Sequence, residues 1–103
     1  MIIDFECSGG YANLRLRYRM NTDELPPEVA ADLRQLVERT GIMGLKAAEL
    51  APKSPGPPDV MQYRIIISQA GALQSLEMSD ITAPPALRPL LARLQELAVE
   101  QKR

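Results

Sequence analysis

Residues 14–20 read Leu-Arg-Leu-Arg-Tyr-Arg-Met, which is the clearest alternation of apolar and polar side chains in the chain. Successive side chains of a strand point to opposite faces, so this pattern predicts a β-strand with one buried and one solvated face. Residues 2–7 alternate in the same way, with Asp4 and Glu6 on the polar side. The intervening Ser8-Gly9-Gly10-Tyr11-Ala12 is typical of a turn, so we expect a β-hairpin.

The rest of the chain continues this hairpin with a helix and then repeats the order. Apolar residues at helical spacing begin near Pro27 and end before Gly41, a typical helix stop. Residues 60–78 are again rich in residues that favour β-strands, including three consecutive isoleucines, and they predict a second hairpin. The final segment has leucines on one helical face, and Pro89 in its first turn predicts that residues 84–88 form a separate short turn or a kink.

An offset of 58 residues aligns the two halves of the sequence. It brings Pro26-Pro27 onto Pro84-Pro85 and Phe5 onto Tyr63. The alignment indicates a pseudo-twofold repeat of one ββα unit. Two such units predict an α+β fold in which a four-stranded antiparallel sheet carries both helices on one face.

The predicted domain organisation is simple. A chain of 103 residues is long enough for one modest hydrophobic core, so we expect a single domain over residues 1–103. We expect its halves to cover about residues 1–45 and 59–103, and the proline-rich residues 52–58 to form an exposed connector between them.

The composition excludes most enzyme classes. The chain has no histidine and a single cysteine, so it lacks the usual base of Ser-His and Cys-His mechanisms, imidazole metal ligands and a thiolate cage. Alternation assigns Cys7 to the core, and no phosphate-binding or dinucleotide motif follows any strand. We therefore predict a protein that is not an enzyme, with no catalytic residues, no cofactor and no metal.

Cytoplasmic location is the expectation from the same composition. A lone cysteine closes no internal disulfide, which is usual in a reducing compartment. Asp4 and Glu6 occupy positions where a signal peptide carries basic and then apolar residues, and no apolar run reaches the length of a membrane span.

Arg15, Arg17 and Arg19 form the strongest candidate for a charged surface. Alternate residues of a strand lie about 7 Å apart, close to the spacing of phosphates along a single strand. The alternative is a solvated sheet face on which Asp4 and Glu6 pair with these arginines. The net charge of -1 and the shortage of aromatic residues favour this second interpretation over a nucleic-acid-binding module.

Four short motifs in the same order resemble the emfourin family, whose members inhibit thermolysin-like zinc metallopeptidases such as protealysin. The turn at residues 8–12 is similar to the family's SGGFA-like turn, with tyrosine in place of phenylalanine. The other motifs lie before the first helix, in the third strand and before the last helix, at residues 23–28, 63–65 and 83–90. The resemblance extends over nearly the whole chain.

This resemblance implies a protein that binds the active-site cleft of a thermolysin-like metallopeptidase without being consumed. The residues expected to bind this partner are those of the turn, Ser8, Gly9, Gly10, Tyr11 and Ala12. In this hypothesis the glycines give backbone access and Tyr11 fills an apolar subsite. A noncatalytic interaction domain of the same fold is a further alternative, and the sequence does not indicate an oligomeric state.

Overall fold

The fold has two layers, a β-sheet and a pair of α-helices. The computed structural model describes residues 1–9, 14–46 and 60–102, so the predicted connector at residues 52–58 lies outside the described part. The strands and helices are β1 (Ile2–Gly9), β2 (Leu14–Asn21), α1 (Pro27–Thr40), β3 (Met61–Gln69), β4 (Ala72–Ser79) and α2 (Arg88–Lys102). This ββαββα order confirms the predicted α+β fold.

All four strands are antiparallel, in the order β2-β1-β3-β4. The first strand of each unit lies in the centre, so the two units share one sheet and one core. Alternate residues of every strand are buried on the face that carries the helices. The buried hydrophobic residues of the strands are Ile3, Phe5, Cys7, Leu16, Met20, Tyr63, Ile65, Ile67, Leu76 and Met78.

The two units are related by the predicted repeat, with one correction. β2 and β4 keep the 58-residue offset from end to end. The turn between β3 and β4 contains only residues 70–71, whereas residues 10–13 separate β1 from β2. This shorter turn shifts β3 by two residues, so Phe5 is equivalent to Ile65 and not to Tyr63. Phe5 also pairs directly with Ile65, which places the pseudo-twofold axis between them.

Prolines and a glycine set the helix ends. Gly41 stops α1 in the left-handed conformation, with φ of 65°. A 3₁₀ turn at Pro85–Leu87 precedes α2, as the sequence predicted for this region. Pro89 is the second residue of α2, where its missing N–H has no helical partner. Arg93 Nε on α2 lies 2.9 Å from Asp32 Oδ2 on α1 and ties the helices together.

Candidate functional site

The turn predicted to bind a partner begins at one end of the sheet. Ser8 and Gly9 are the last residues of β1 and are half-buried. Residues 10–12, including Tyr11, lie outside the described part of the chain. Gly9 pairs with Leu14 on β2 and with Met61 on β3. The base of the turn is therefore held between two neighbouring strands.

Gly9 occupies a position that only glycine fits. Its φ is 106°, a conformation that residues with a Cβ rarely adopt. A Cβ at Gly9 would lie 2.6 Å from the carbonyl oxygen of Val60. Both the backbone angle and the close approach of β3 thus require the absence of a side chain here.

The 79–83 loop, which connects β4 to the turn before α2, lies at the same end of the sheet. Ser79 Oγ accepts hydrogen bonds from the N–H groups of Ile81 and Thr82, at 3.1 and 3.2 Å. Thr82 Oγ1 accepts from the N–H of Ser79 at 2.9 Å, and the Ser79 carbonyl accepts from the N–H of Ala83 at 2.8 Å. These bonds satisfy the loop backbone locally and restrict its conformation.

Asp80 joins this loop to its neighbours. Its carboxylate accepts hydrogen bonds from the Tyr63 hydroxyl at 2.7 Å and from the Met61 N–H at 3.2 Å. Its backbone N–H donates to the Met61 carbonyl at 3.1 Å, and its carbonyl accepts from Arg88 Nη2 at 2.9 Å. The loop is consequently attached to β3 on one side and to the first turn of α2 on the other.

The Tyr63 hydroxyl is held in its neutral form. Burial raises the pKa of Tyr63 well above its ordinary value because the phenolate loses hydration. The hydrogen bond to Asp80 raises this pKa further, since only the neutral hydroxyl donates, and the negative charge of Asp80 opposes ionisation.

Alkaline pH should therefore destabilise the fold through Tyr63. Because the folded-state pKa is raised, the contribution of neutral Tyr63 is complete below the unfolded value of about 10 and decreases as pH rises above it. At pH 8, Tyr63→Phe should lower the free energy of unfolding by about 1 kcal/mol through the lost hydrogen bond. At about pH 11 that difference should vanish or change sign, because unfolding then releases the proton in the wild type alone.

Urea unfolding of both proteins at the two pH values measures this effect. Circular dichroism at pH 8 provides the control that Tyr63→Phe retains the fold. A difference in unfolding free energy that stays constant up to pH 11 would contradict the role assigned to the Tyr63 hydroxyl.

Ile81 is the residue at this end of the sheet that sequence reasoning missed. It is the central residue of the 79–83 loop, and its side chain is 70% exposed. The sequence predicted neither Ile81 nor Asp80 as part of a site, because an isolated isoleucine between polar residues carries no periodic signal. The 58-residue offset would have paired Ile81 with Asp23, a polar residue, and this contrast was the available clue.

Comparison with protein-family models matches the Emfourin family over residues 5–95. The chain belongs to the Emfourin family. The match begins in β1 and ends within α2, so it includes both ββα units, the predicted binding turn and the 79–83 loop. It confirms the resemblance seen in the sequence motifs. No curated protein and no solved structure gave a match.

The arginine surface of this Emfourin-family chain lies on the open face of the sheet, opposite the helices. Arg15 Nε is 3.7 Å from Glu6 Oε1, and Arg17 Nη2 is 3.6 Å from Asp4 Oδ2. With Arg19, Arg64 and Glu77 included, the four strands carry four arginines and three carboxylates on this face, a balance of +1. A surface on which positive and negative side chains are nearly balanced in this way has no strong positive electrostatic potential. Nucleic-acid binding by Arg15, Arg17 and Arg19 stays the alternative that the sequence disfavours.

Cys7 is fully buried in the same Emfourin-family core, as alternation predicted. Burial raises the pKa of its thiol above the ordinary value, which disfavours the nucleophilic thiolate. Over the described ranges, no three His, Cys, Asp or Glu side chains come together as metal ligands. None of the helices in those ranges combines the length and the apolar character that a membrane span requires.

Proposed function

We propose that this Emfourin-family chain inhibits a thermolysin-like zinc metallopeptidase by binding in its active-site cleft. The observation that carries the proposal is the family match over residues 5–95. The resemblance of the same residues to inhibitors of such peptidases supports this choice of partner. The chain acts as a folded ligand and is not itself an enzyme.

The anchoring of the β1–β2 turn supports a role as a preformed ligand. Gly9 pairs with both β2 and β3, and the Val60 carbonyl oxygen occupies the space that a side chain at position 9 would need. A turn with a fixed base loses less conformational entropy on docking than a free segment. We propose that Ser8, Gly9, Gly10, Tyr11 and Ala12 enter the cleft and that Tyr11 fills an apolar subsite.

The chemistry of the chain supports inhibition without turnover. It has no histidine to serve as a general base, and its single thiol, Cys7, is buried with a raised pKa. We further propose that the chain is one domain over residues 1–103 and that it acts in the cytoplasm, where it restrains a peptidase made by the same cell.

Titration of a thermolysin-like peptidase with the purified protein tests this function. A small fluorogenic peptide reports the remaining activity, and mass spectrometry of the mixture shows whether the added protein is cleaved. We expect near-stoichiometric loss of activity with the protein intact. Full activity at large excess, or steady cleavage of the added protein, would overturn the proposal.

Tyr11→Ala should weaken inhibition by more than about 1 kcal/mol, the usual threshold for an interface residue that contributes strongly. This corresponds to a rise in the inhibition constant of at least about fivefold. Leu73→Ala provides the matched control because Leu73 is exposed beside the other hairpin turn, at the opposite end of the sheet. An inhibition constant that is the same for Tyr11→Ala and wild type would remove Tyr11 from the contact surface.

A further inference from the structure

In each ββα unit a turn follows the second strand, and these two turns are equivalent in the repeat. In the first unit Asn21 Oδ1 accepts a hydrogen bond from the N–H of Asp23 at 3.0 Å. In the second unit Ser79 Oγ accepts from the N–H of Ile81 at 3.1 Å. The 58-residue offset relates both pairs, so Asp23 and Ile81 occupy the same position in the repeat.

The backbone of the two turns is also attached in the same way. The Thr22 N–H donates to the Met1 carbonyl at 2.9 Å, and the Asp80 N–H donates to the Met61 carbonyl at 3.1 Å. Both turns thus form these two hydrogen bonds, one with an exposed aspartate after Thr22 and the other with an exposed isoleucine after Asp80. These hydrogen bonds do not depend on an apolar side chain at position 81.

The distinguishing feature of Ile81 is its position, because it is exposed at the same end of the sheet as the base of the β1–β2 turn. Its side chain is 70% exposed, and it stands on a loop whose backbone is hydrogen-bonded on both sides. An apolar side chain held away from the core on an ordered support is suited to insertion into a pocket of a partner, because little entropy is lost when it docks.

We propose that Ile81 is a second apolar anchor, which enters an apolar subsite of the target peptidase beside the β1–β2 turn. This inference rests on the proposed inhibitory function and adds a second contact to it. Gly9 pairs with Met61 from one side, and Asp80 bonds to Met61 from the other. The base of the turn and the 79–83 loop are thus about 10 Å apart, two strand spacings, and both can face one cleft.

Two substitutions at Ile81 test the second anchor. Ile81→Ala should raise the inhibition constant about tenfold, and Ile81→Asp about a hundredfold, because a carboxylate would enter an apolar subsite. Ile81→Asp copies the residue at the equivalent position 23, so its thermal unfolding should match that of the wild type. Leu73→Ala and Leu73→Asp are matched controls, since Leu73 is 71% exposed at the other end of the sheet, and both should inhibit within about twofold of wild type.

The outcomes separate the two proposals. If the wild type inhibits and both Ile81 variants inhibit equally well, the second anchor is wrong and the inhibitory function stands. If the inhibition constants of the Leu73 variants rise as much as those of the Ile81 variants, the effect is nonspecific and the proposal of a second anchor is again wrong. If the wild type does not inhibit the peptidase at large excess, the proposed function fails and the anchor fails with it.

Discussion

Phe5→Ala is expected to lower the free energy of unfolding by about 3–5 kcal/mol, the largest effect of any substitution proposed for this chain. Phe5 is fully buried on the central strand β1. It lies between Tyr18 and Ile65 on the neighbouring strands, at the pseudo-twofold axis, and its ring stacks on that of Tyr63 with centroids 6.3 Å apart. Truncation would therefore open a cavity where the two ββα units meet.

Urea denaturation followed by circular dichroism measures this loss. Phe5→Leu keeps most of the buried volume and should have a clearly smaller effect than Phe5→Ala. Leu73→Ala, on the exposed side, should change stability by less than about 0.5 kcal/mol. A Phe5→Ala protein within about 1 kcal/mol of wild type would mean that the core does not depend on this ring.

Gly9→Ala is expected to be the next most damaging change, at about 2–3 kcal/mol of unfolding free energy. The new Cβ would meet the Val60 carbonyl oxygen at 2.6 Å while the backbone keeps a φ of 106°. Relief requires β3 to move away from the end of β1, which would also displace the base of the proposed binding turn. The variant should consequently lose inhibition along with stability.

Two other glycines separate the causes of this effect. Gly71 also has a positive φ, of 82°, but a methyl group at this position would have no atom within 4 Å, so Gly71→Ala should cost only about 1 kcal/mol. Gly44→Ala meets neither obstacle and should lie within about 0.5 kcal/mol of wild type. If Gly9→Ala were no worse than Gly71→Ala, contact with Val60 would not explain the need for glycine.

The candidate site was only partly predictable. The Ser8–Ala12 turn follows from turn chemistry and from motif resemblance, and the structure supplies the reason for glycine at position 9, the close approach of Val60. Asp80 and Ile81 were not predicted. Asp80 acquires its role from Met61 and Tyr63, which are far from it in sequence and reach it only when β3 and β4 pair.

The sequence by itself determined the order of strands and helices, the existence of the repeat and the inward side of the first two strands, because alternation and helical spacing are local properties of the chain. Tertiary structure decided which strands are neighbours, the two-residue shift that makes Phe5 equivalent to Ile65, and the pairing of Arg15 with Glu6. It also decided that the side chain of Ile81 is exposed to solvent, at the end of the sheet where Gly9 of β1 pairs with Met61 of β3. Register and exposure depend on contacts between residues distant in sequence, and no local pattern encodes those contacts.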